Sequence, residues 1–215
     1  MSFFEENCPE MDRYLEDHCS AEPDILKRLR KETFQKTTQP HMISGVQQGR
    51  LLSVLSKMIS PKNILEIGTF TGYATLSLAE GLSRDGKITT LDVNEELAYL
   101  PQKYFKESEF SSQIDFKIQD AKVFLNETKE VFDFVFIDAD KENYLSYFEL
   151  IKPKIKNGSV IFFDNVLWYG KVLEENSKQK STQIIQELND TITKDEDFEN
   201  VILPLRDGLH LIRKK

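Results

Sequence analysis

Apolar runs of strand length alternate with amphipathic, helix-length segments along most of the chain. This pattern predicts five strands, over residues 64–67, 87–91, 114–118, 131–137 and 160–163. Helices are predicted between them, over residues 73–82, 95–107, 121–128 and 143–151. Strands that alternate with helices usually form a parallel sheet covered by helices. We therefore expect an α/β fold with helices on both faces of the sheet.

The end of the chain has a different pattern. A helix is predicted over residues 181–192, followed by two strands over residues 198–203 and 209–213. Arg206-Asp207-Gly208 lies between these strands, and an Asp-Gly pair is typical of a tight hairpin. The mostly parallel sheet should therefore contain seven strands and end in an antiparallel hairpin.

The first 60 residues are predicted to form a helical annex that covers the core. Pro23 opens a helix over residues 24–36, and a second helix spans residues 46–59. The narrow apolar stripe of the first consists of Ile25, Leu26, Leu29 and Phe34. The apolar positions of the second, expected to pack on a core, are Leu51, Leu52, Val54, Leu55, Met58 and Ile59. No flexible linker divides the chain, so residues 1–215 are interpreted as one domain, with the cover in residues 1–60 and the core in 61–215.

Composition narrows the class of partners. The net charge of −8 argues against broad binding to nucleic acids or anionic membranes, which normally requires a basic surface. Cys8 and Cys19 are too few for a disulfide framework, and no signal peptide is recognised. No apolar run approaches the roughly 18 residues that span a bilayer. We expect a cytoplasmic protein without a membrane span.

The predicted elements are organised around a glycine turn, residues 63–72, where an apolar strand ends in Gly68 and Gly72 just before a helix. Glycine permits close approach of a ligand to the backbone, and a helix start offers unpaired N–H groups. The turn lacks the G-x-G-x-x-G spacing of a dinucleotide loop. Glu66 instead suits a ligand with hydroxyl or ammonium donors. An ordinary strand-to-helix connection is the alternative.

Acidic residues follow four of the predicted strands, namely Asp92, Asp120, Asp138 and Asp164. Ligands of open α/β sheets bind at the carboxyl ends of the strands, so these acids are expected at one edge of the sheet. Helix capping is the alternative for Asp92 and Asp120.

Asp138, Asp164 and Asn165 would supply two carboxylates and an amide oxygen. Hard oxygen donors suit Mg²⁺ or Ca²⁺, although a turn and a helix cap would also explain these residues. Lys141, three residues after Asp138, is a candidate general base, because a lysine beside a metal can have its pKa lowered. The three histidines are scattered, which excludes a recognised zinc motif.

Three stretches, residues 65–73, 132–141 and 164–170, together resemble the cation-dependent, S-adenosylmethionine-dependent O-methyltransferases typified by caffeoyl-CoA and catechol O-methyltransferases. The similarity extends from Tyr14 to Arg213. It implies a Rossmann-like class I methyltransferase fold, S-adenosylmethionine (SAM) as cofactor, a homodimer, and Mg²⁺ as the metal, with Ca²⁺ or Mn²⁺ as alternatives.

The resemblance also implies roles for individual residues. The implied cofactor-binding residues are Ser44, Glu66, Gly68, Thr69, Phe70, Ala74, Asp92, Ala121, Asp138 and Asp140. The implied metal ligands are Asp138, Asp164 and Asn165, and the catalytic residues are Lys141 and Asp138. The implied substrate contacts are Met42, Lys141, Trp168 and Tyr169.

Two departures from the family pattern change the expectation. Ala74 stands where many relatives have serine, which removes one hydrogen bond to the cofactor unless Thr75 or a water replaces it. Tyr169 stands where plant relatives have asparagine, and residues 176–182 replace an insert that admits a CoA ester. A CoA-ester substrate is therefore not expected. Trp168 and Tyr169 are expected to form a wall against a flat ring, with simple loop packing as the alternative.

The leading hypothesis is divalent-metal-dependent methyl transfer from SAM to a hydroxyl of a small catechol-like phenol. Methylation of a hydroxylated uridine in tRNA is the alternative, supported by short basic runs at residues 27–31 and 213–215. A non-catalytic cofactor-binding protein and a nicotinamide dehydrogenase are less favoured. Deletion of the chain up to Lys36 is expected to reduce substrate affinity more than cofactor affinity.

Overall fold

The computed structural model describes residues 9–215. Within them the chain forms two compact units, residues 9–119 and Asp120–Lys215. The first eight residues of the expected helical cover, including Cys8, lie outside the described part. The single-domain interpretation stays a prediction. None of the helices in residues 9–215 is long and apolar enough to cross a membrane.

The described part of the first unit contains five α-helices and three parallel strands. The helices are α1 (Pro9–Asp17), α2 (Asp24–Lys36), α3 (Gly45–Ile59), α4 (Tyr73–Ala79) and α5 (Tyr99–Glu107). The strands are β1 (Asn63–Ile67), β2 (Lys87–Asp92) and β3 (Ile114–Ile118). Strand β2 lies between the other two, with Ile88 opposite both Ile64 of β1 and Ile114 of β3. Short 3-10 helices cover Pro40–Met42 and Glu95–Leu97.

The second unit combines parallel and antiparallel strands. Its helices are α6 (Ala121–Glu127), α7 (Tyr144–Ile151) and α8 (Lys180–Lys194). Its strands are β4 (Phe132–Ile137), β5 (Ile155–Asp164), β6 (Phe198–Leu203) and β7 (Leu209–Lys214). Strands β4 and β5 are parallel, whereas β7 is antiparallel to both β5 and β6. Short 3-10 helices cover Lys141–Asn143 and Lys152–Lys154, and Trp168–Leu173 forms 3-10 turns interrupted by non-helical backbone at Tyr169 and Gly170.

The strands are hydrogen-bonded in the order β3-β2-β1-β4-β5-β7-β6. The expected seven-stranded, mostly parallel sheet with an antiparallel C-terminal pair is therefore confirmed. The expectation of a tight hairpin is wrong, because Leu203 pairs with Leu209 and leaves a five-residue loop. Arg206 and Gly208 adopt positive φ angles of 52° and 88° in this loop, and the Gly208 N–H donates to the Leu205 carbonyl oxygen at 2.9 Å, which forms a β-turn inside the longer loop.

Helix α2 belongs to the core of the first unit. Its Leu26 and Leu29 are almost fully buried, whereas Phe34 is 58% exposed. The cluster around them contains Leu26, Leu29, Ile43, Tyr73, Leu76, Leu100, Tyr104 and Phe105. Deletion up to Lys36 would remove part of this cluster, so we also expect the deletion to lower the free energy of unfolding.

Helix α3 occupies the expected residues, but its apolar positions are only partly buried. Among the six apolar positions only Leu52 is fully buried, and Met58 is 77% exposed. The buried face instead consists of Gln48, Gly49, Arg50, Leu52, Ser53 and Ser56. Several of these side chains are short, which allows a close approach to α4. A Cβ atom at Gly49 would lie 2.6 Å from the Tyr73 ring, and the Ser56 hydroxyl donates to a backbone carbonyl of α4 at 2.7 Å.

Candidate active site

The glycine turn after β1 is fastened to the end of β2. The N–H groups of Gly68 and Thr69 donate to the Leu91 carbonyl oxygen at 2.9 and 3.2 Å. Gly68 and Gly72 have φ angles of 99° and 90°, a region that side chains disfavour. A Cβ atom at Gly72 would also lie 2.6 Å from the Phe105 ring. Both glycines are therefore required by the backbone.

Glu66 lies inside the fold rather than at its surface. Its carboxylate is fully buried and accepts hydrogen bonds from the hydroxyls of Thr75 and Thr90. Because the Thr75 proton points to Glu66, it is not available to replace the hydroxyl that Ala74 lacks. The side chain of Ala74 is itself buried at the start of α4.

Asp92 joins the turn to the end of β2. One carboxylate oxygen accepts the Phe70 N–H at 2.7 Å, and the other accepts the Asn94 N–H at 2.9 Å. Asn94, not Asp92, caps the short helix that follows, by accepting the Glu96 N–H. Each carboxylate oxygen has more than one acceptor site. Asp92 can therefore also accept the vicinal hydroxyls of a ribose.

Buried polar contacts connect the N-terminal helices to this turn. The Thr33 hydroxyl of α2 donates to the Thr71 hydroxyl at 3.0 Å, and both residues are fully buried. The Tyr73 hydroxyl donates to Glu22 at 2.6 Å, and the Arg30 guanidinium also binds Glu22. Burial raises the pKa of Glu22, but the hydrogen bonds from Arg30 and Tyr73 outweigh it and hold the pKa below the usual value. Sequence reasoning missed these contacts.

Two other candidate residues of the first unit precede α3. Ser44 is buried directly before the helix, whereas Met42 is 48% exposed at the end of a short 3-10 helix. A cavity of about 550 Å³ also opens in this unit. It is lined by residues such as Pro23, Arg28 and Phe110, and none of the expected catalytic, cofactor-binding, metal-binding or substrate-contacting residues lines it.

In the second unit, the proposed metal ligands lie at the ends of two paired strands. Ile137 of β4 is opposite Phe163 of β5. Asp138 directly follows Ile137 in the sequence, and Asp164 directly follows Phe163. Asp164 is 2% exposed, and the Asp138 side chain is 25% exposed. Asn165 follows with a φ angle of 59°. The sequence expectation that these oxygen donors share one sheet edge agrees with this register.

These donors suit a hard cation, since carboxylate and amide oxygens are the preferred ligands of Mg²⁺, Ca²⁺ and Mn²⁺. Within residues 9–215, no group of three or more His, Cys, Asp or Glu residues is placed to hold a metal ion. A cation at Asp138 and Asp164 would therefore depend on Asn165 or on non-protein oxygens for further ligands.

Lys141 is held between two partners near these acids. Its ammonium nitrogen lies 3.1 Å from an Asp138 carboxylate oxygen and donates to the Tyr144 hydroxyl at 2.5 Å. Tyr144 is fully buried and donates in turn to the Asp164 carbonyl oxygen at 2.9 Å. Burial, followed by the charges of Asp138 and Asp164, raises the pKa of Tyr144 well above its usual value. Sequence reasoning missed Tyr144, although its place three residues after Lys141 was a signal.

The remaining acids of this unit have separate roles. Asp120 caps α6 by accepting the N–H groups of Lys122 and Val123, so the capping alternative is confirmed for Asp120. Ala121 is buried at the first position of that helix. Asp140 accepts the Tyr147 hydroxyl at 2.7 Å. Burial and this hydrogen bond raise the pKa of Tyr147.

Trp168 and Tyr169 have φ angles of 50° and 55°, in the left-handed region that bulky side chains rarely adopt. Their ring centroids are 6.0 Å apart with an interplanar angle of 50°. Trp168 is half-buried and Tyr169 is 64% exposed. The exposed Tyr169 ring could contact a flat ligand, which leaves the wall and the loop-packing alternatives both open.

Comparison with known proteins gives consistent similarities. Residues 16–215 match a family model described as O-methyltransferase. Caffeoyl-CoA O-methyltransferase 1 of Eucalyptus globulus is 35% identical over 204 residues, covering 90% of this chain and 82% of that protein. Catechol O-methyltransferase domain-containing protein 1 of Mus musculus is 33% identical over 207 residues, covering 94% of this chain and 79% of that protein.

The structure also resembles solved O-methyltransferases. The O-methyltransferase from Bacillus cereus in complex with SAH has a TM-score of 0.88 and 29% sequence identity, covering 96% of this chain and 97% of that chain. The Rossmann-like fold implied by the sequence resemblance is thereby confirmed.

Proposed function

Because the chain belongs to the O-methyltransferase family, we propose that it transfers a methyl group from SAM to one hydroxyl of a small catechol-like phenol, with a divalent cation. The proposed metal dependence is supported by the arrangement of Asp138, Asp164 and Lys141 in the second unit. Two carboxylates end paired strands, and a lysine nitrogen lies 3.1 Å from one of them. Mg²⁺ is the proposed metal, with Ca²⁺ and Mn²⁺ as alternatives.

We assign cofactor binding to the residues that the sequence resemblance implies. SAM, when bound, supplies a methyl group on a positively charged sulfur. Asp92 would accept the ribose hydroxyls, a role that its remaining acceptor sites support. Glu66 would hold the turn that faces the amino-acid part, because its carboxylate anchors Thr75 and Thr90 behind the turn. The complete proposed set is Ser44, Glu66, Gly68, Thr69, Phe70, Ala74, Asp92, Ala121, Asp138 and Asp140.

The second unit would supply the metal site and the base. Asp138, Asp164 and Asn165 would hold the cation, which supplies positive charge that favours the ionised form of a phenol. Lys141 would take the proton from the substrate hydroxyl. Its nitrogen is already oriented by Asp138 and by the Tyr144 hydroxyl, which is the positioning that proton transfer requires.

The substrate is proposed to be a flat phenol rather than a CoA ester. Met42, Trp168 and Tyr169 would contact it together with Lys141. The 64% exposure of Tyr169 supports this role, because an exposed ring can stack on an aromatic ligand.

No observation favours tRNA as the substrate. In the basic run at residues 27–31, Arg28 pairs with Glu107 and Arg30 pairs with Glu22. At the C-terminus Arg213 pairs with Glu199. Acidic partners therefore compensate much of the charge that supported this alternative.

The homodimer and the cytoplasmic location stay predictions. Val54 and Met58 of α3 are exposed apolar residues, and a homodimer interface would bury such a surface. Sedimentation of the purified protein at two concentrations would test the homodimer.

The substrate class can be tested by mass spectrometry of reaction mixtures with SAM and Mg²⁺. Catechol should gain one methyl group with release of one equivalent of SAH. Guaiacol, in which one of the two adjacent oxygens is already methylated, should react far more slowly, because the methylated oxygen cannot ionise and binds a hard cation more weakly. Methylation of tRNA with no methylation of any catechol would overturn the proposal.

A further inference from the structure

The segment that carries Trp168 and Tyr169 has an unusual backbone. Four of its six residues have positive φ angles: Asn165 (59°), Trp168 (50°), Tyr169 (55°) and Gly170 (77°). Three of these are not glycine, so the conformation is sterically costly. Such a conformation persists only where neighbouring groups hold it. We call residues 165–170 the aromatic loop.

The loop between β6 and β7 accepts the N–H groups of the aromatic loop. The Asp207 carbonyl oxygen accepts the Leu167 N–H at 2.9 Å, and the Asp207 carboxylate accepts the Tyr169 N–H at 2.7 Å. The Gly208 carbonyl oxygen accepts the Val166 N–H at 3.2 Å. Asp207 is 6% exposed. One buried residue therefore holds two amides of the aromatic loop.

Helix α8 satisfies carbonyl groups of the same segment and of the residues that follow. Asn189 donates to the Val166 carbonyl oxygen at 3.1 Å, and Gln186 donates to that of Val172 at 3.0 Å. Gln183, which lies three residues before Gln186 in α8, donates to the Ser177 carbonyl oxygen at 2.7 Å. The spacing of three places these amide side chains on one helix face. The segment is thus held from α8 through its carbonyls and from the β6–β7 loop through its amides.

From these contacts we propose that Asp207 is a positioning residue, which holds Trp168 and Tyr169 in the conformation that contacts the phenolic substrate. Its carboxylate is the side-chain acceptor of the Tyr169 N–H. Without that acceptor, an amide in a costly conformation loses its hydrogen bond, and the backbone can relax to negative φ. The Tyr169 ring would then point in a different direction. The substrate part of this inference rests on the proposed function, whereas the conformational part does not.

Trp168 is the only tryptophan of the chain, so its fluorescence reports on the aromatic loop directly. Asp207→Ala should shift the emission to longer wavelength and increase acrylamide quenching about twofold, because the buried indole N–H becomes hydrated. Asp207→Asn, which keeps a carbonyl oxygen at the acceptor position, should resemble the wild type. Asp190→Ala, at an exposed position of α8, is the matched control. Wild-type fluorescence in folded Asp207→Ala would overturn the proposal.

Hydrogen exchange on the unmodified protein keeps the conformational part testable if Asp207→Ala does not fold. The Tyr169 amide should exchange slowly, because Asp207 accepts its hydrogen bond. Exchange of this amide at the rate of an unfolded peptide would overturn the proposal.

Kinetics test the substrate part. Asp207→Ala should raise the KM for catechol about fivefold, the loss expected for one hydrogen bond, with the Kd for SAM unchanged by calorimetry. Asp207→Asn should restore the KM. An unchanged KM, or equal losses in SAM and catechol binding, would contradict the positioning role. If the wild type methylates no phenol while the fluorescence result holds, the proposed function fails and the conformational role of Asp207 stands.

Discussion

Tyr144 donates its buried hydroxyl to the main-chain carbonyl oxygen of Asp164 at 2.9 Å. The same hydroxyl accepts a hydrogen bond from Lys141. One phenol therefore connects the proposed base to the end of the strand that carries a proposed metal ligand. Because Tyr144 is fully buried, water cannot easily replace its hydroxyl.

Tyr144→Phe should keep the ring packing and remove both hydrogen bonds. We expect a loss of about 1–2 kcal/mol in the free energy of unfolding, because the Asp164 carbonyl loses a buried donor. We also expect kcat to fall about tenfold with SAM affinity unchanged, because Lys141 loses one of its two orienting partners. Urea unfolding, steady-state kinetics and calorimetry check these outcomes. Tyr99→Phe, at a half-exposed position, is the control, and a Tyr144→Phe variant as stable and active as the wild type would contradict this role.

Thr33→Val should loosen the glycine turn without changing the shape of the core. The substitution removes the buried hydroxyl that donates to Thr71 at 3.0 Å. We expect the Kd for SAH to rise about threefold and the free energy of unfolding to fall by about 1 kcal/mol. Thr37→Val, which removes a hydroxyl bonded only within the end of α2, should leave SAH binding unchanged. Equal SAH affinities of the two variants would refute the connection between α2 and the turn.

His210 should make the stability of the protein depend on pH. It is fully buried, with its two ring nitrogens 3.0 and 3.1 Å from the side-chain amides of Asn189 and Asn200, and burial lowers its pKa from 6.5 to about 4. The unfolded chain therefore binds a proton at a higher pH than the folded chain does. The stabilisation is complete above pH 6.5 and is lost as the pH falls towards 4.

The size of this effect can be measured against a variant without the imidazole. Between pH 7 and pH 4 the wild type should lose about 3 kcal/mol more than His210→Gln, from a pKa change of about 2.5 units. Urea unfolding at several pH values measures the difference. A difference between the two proteins that stays constant with pH would show that His210 titrates normally in the folded state.

The alternation of strands and helices was predictable, because buried parallel strands are short apolar runs and Gly68, Gly72 and Pro61 mark their boundaries. The face of α3 that is buried was not predictable. Only Leu52 among its apolar positions is fully buried, because the close approach of α4 requires glycine and serine on the inner face. Periodicity identifies a helix, but here the size of the neighbouring residues decides which face is buried.

The acids at the strand ends were also predictable, since each of the four predicted strands ends one or two residues before its carboxylate. The separate roles of these acids were not predictable from the sequence. Asp120 proved to be a helix cap, whereas Asp92 binds amides of two loops. The conformation of the aromatic loop was beyond sequence reasoning, because Asp207, almost 40 residues further along the chain, holds Trp168 and Tyr169 in a region that such residues avoid.

The rate of catechol methylation with and without a chelator tests the central claim most directly. With SAM and Mg²⁺ the wild type should form product, lose about 100-fold in rate in EDTA, and recover when Mg²⁺ is added back. Asp164→Ala should be slow in every condition, while Asp190→Ala should behave like the wild type. Product formation that neither EDTA nor Asp164→Ala reduces would contradict the account of a metal-dependent O-methyltransferase.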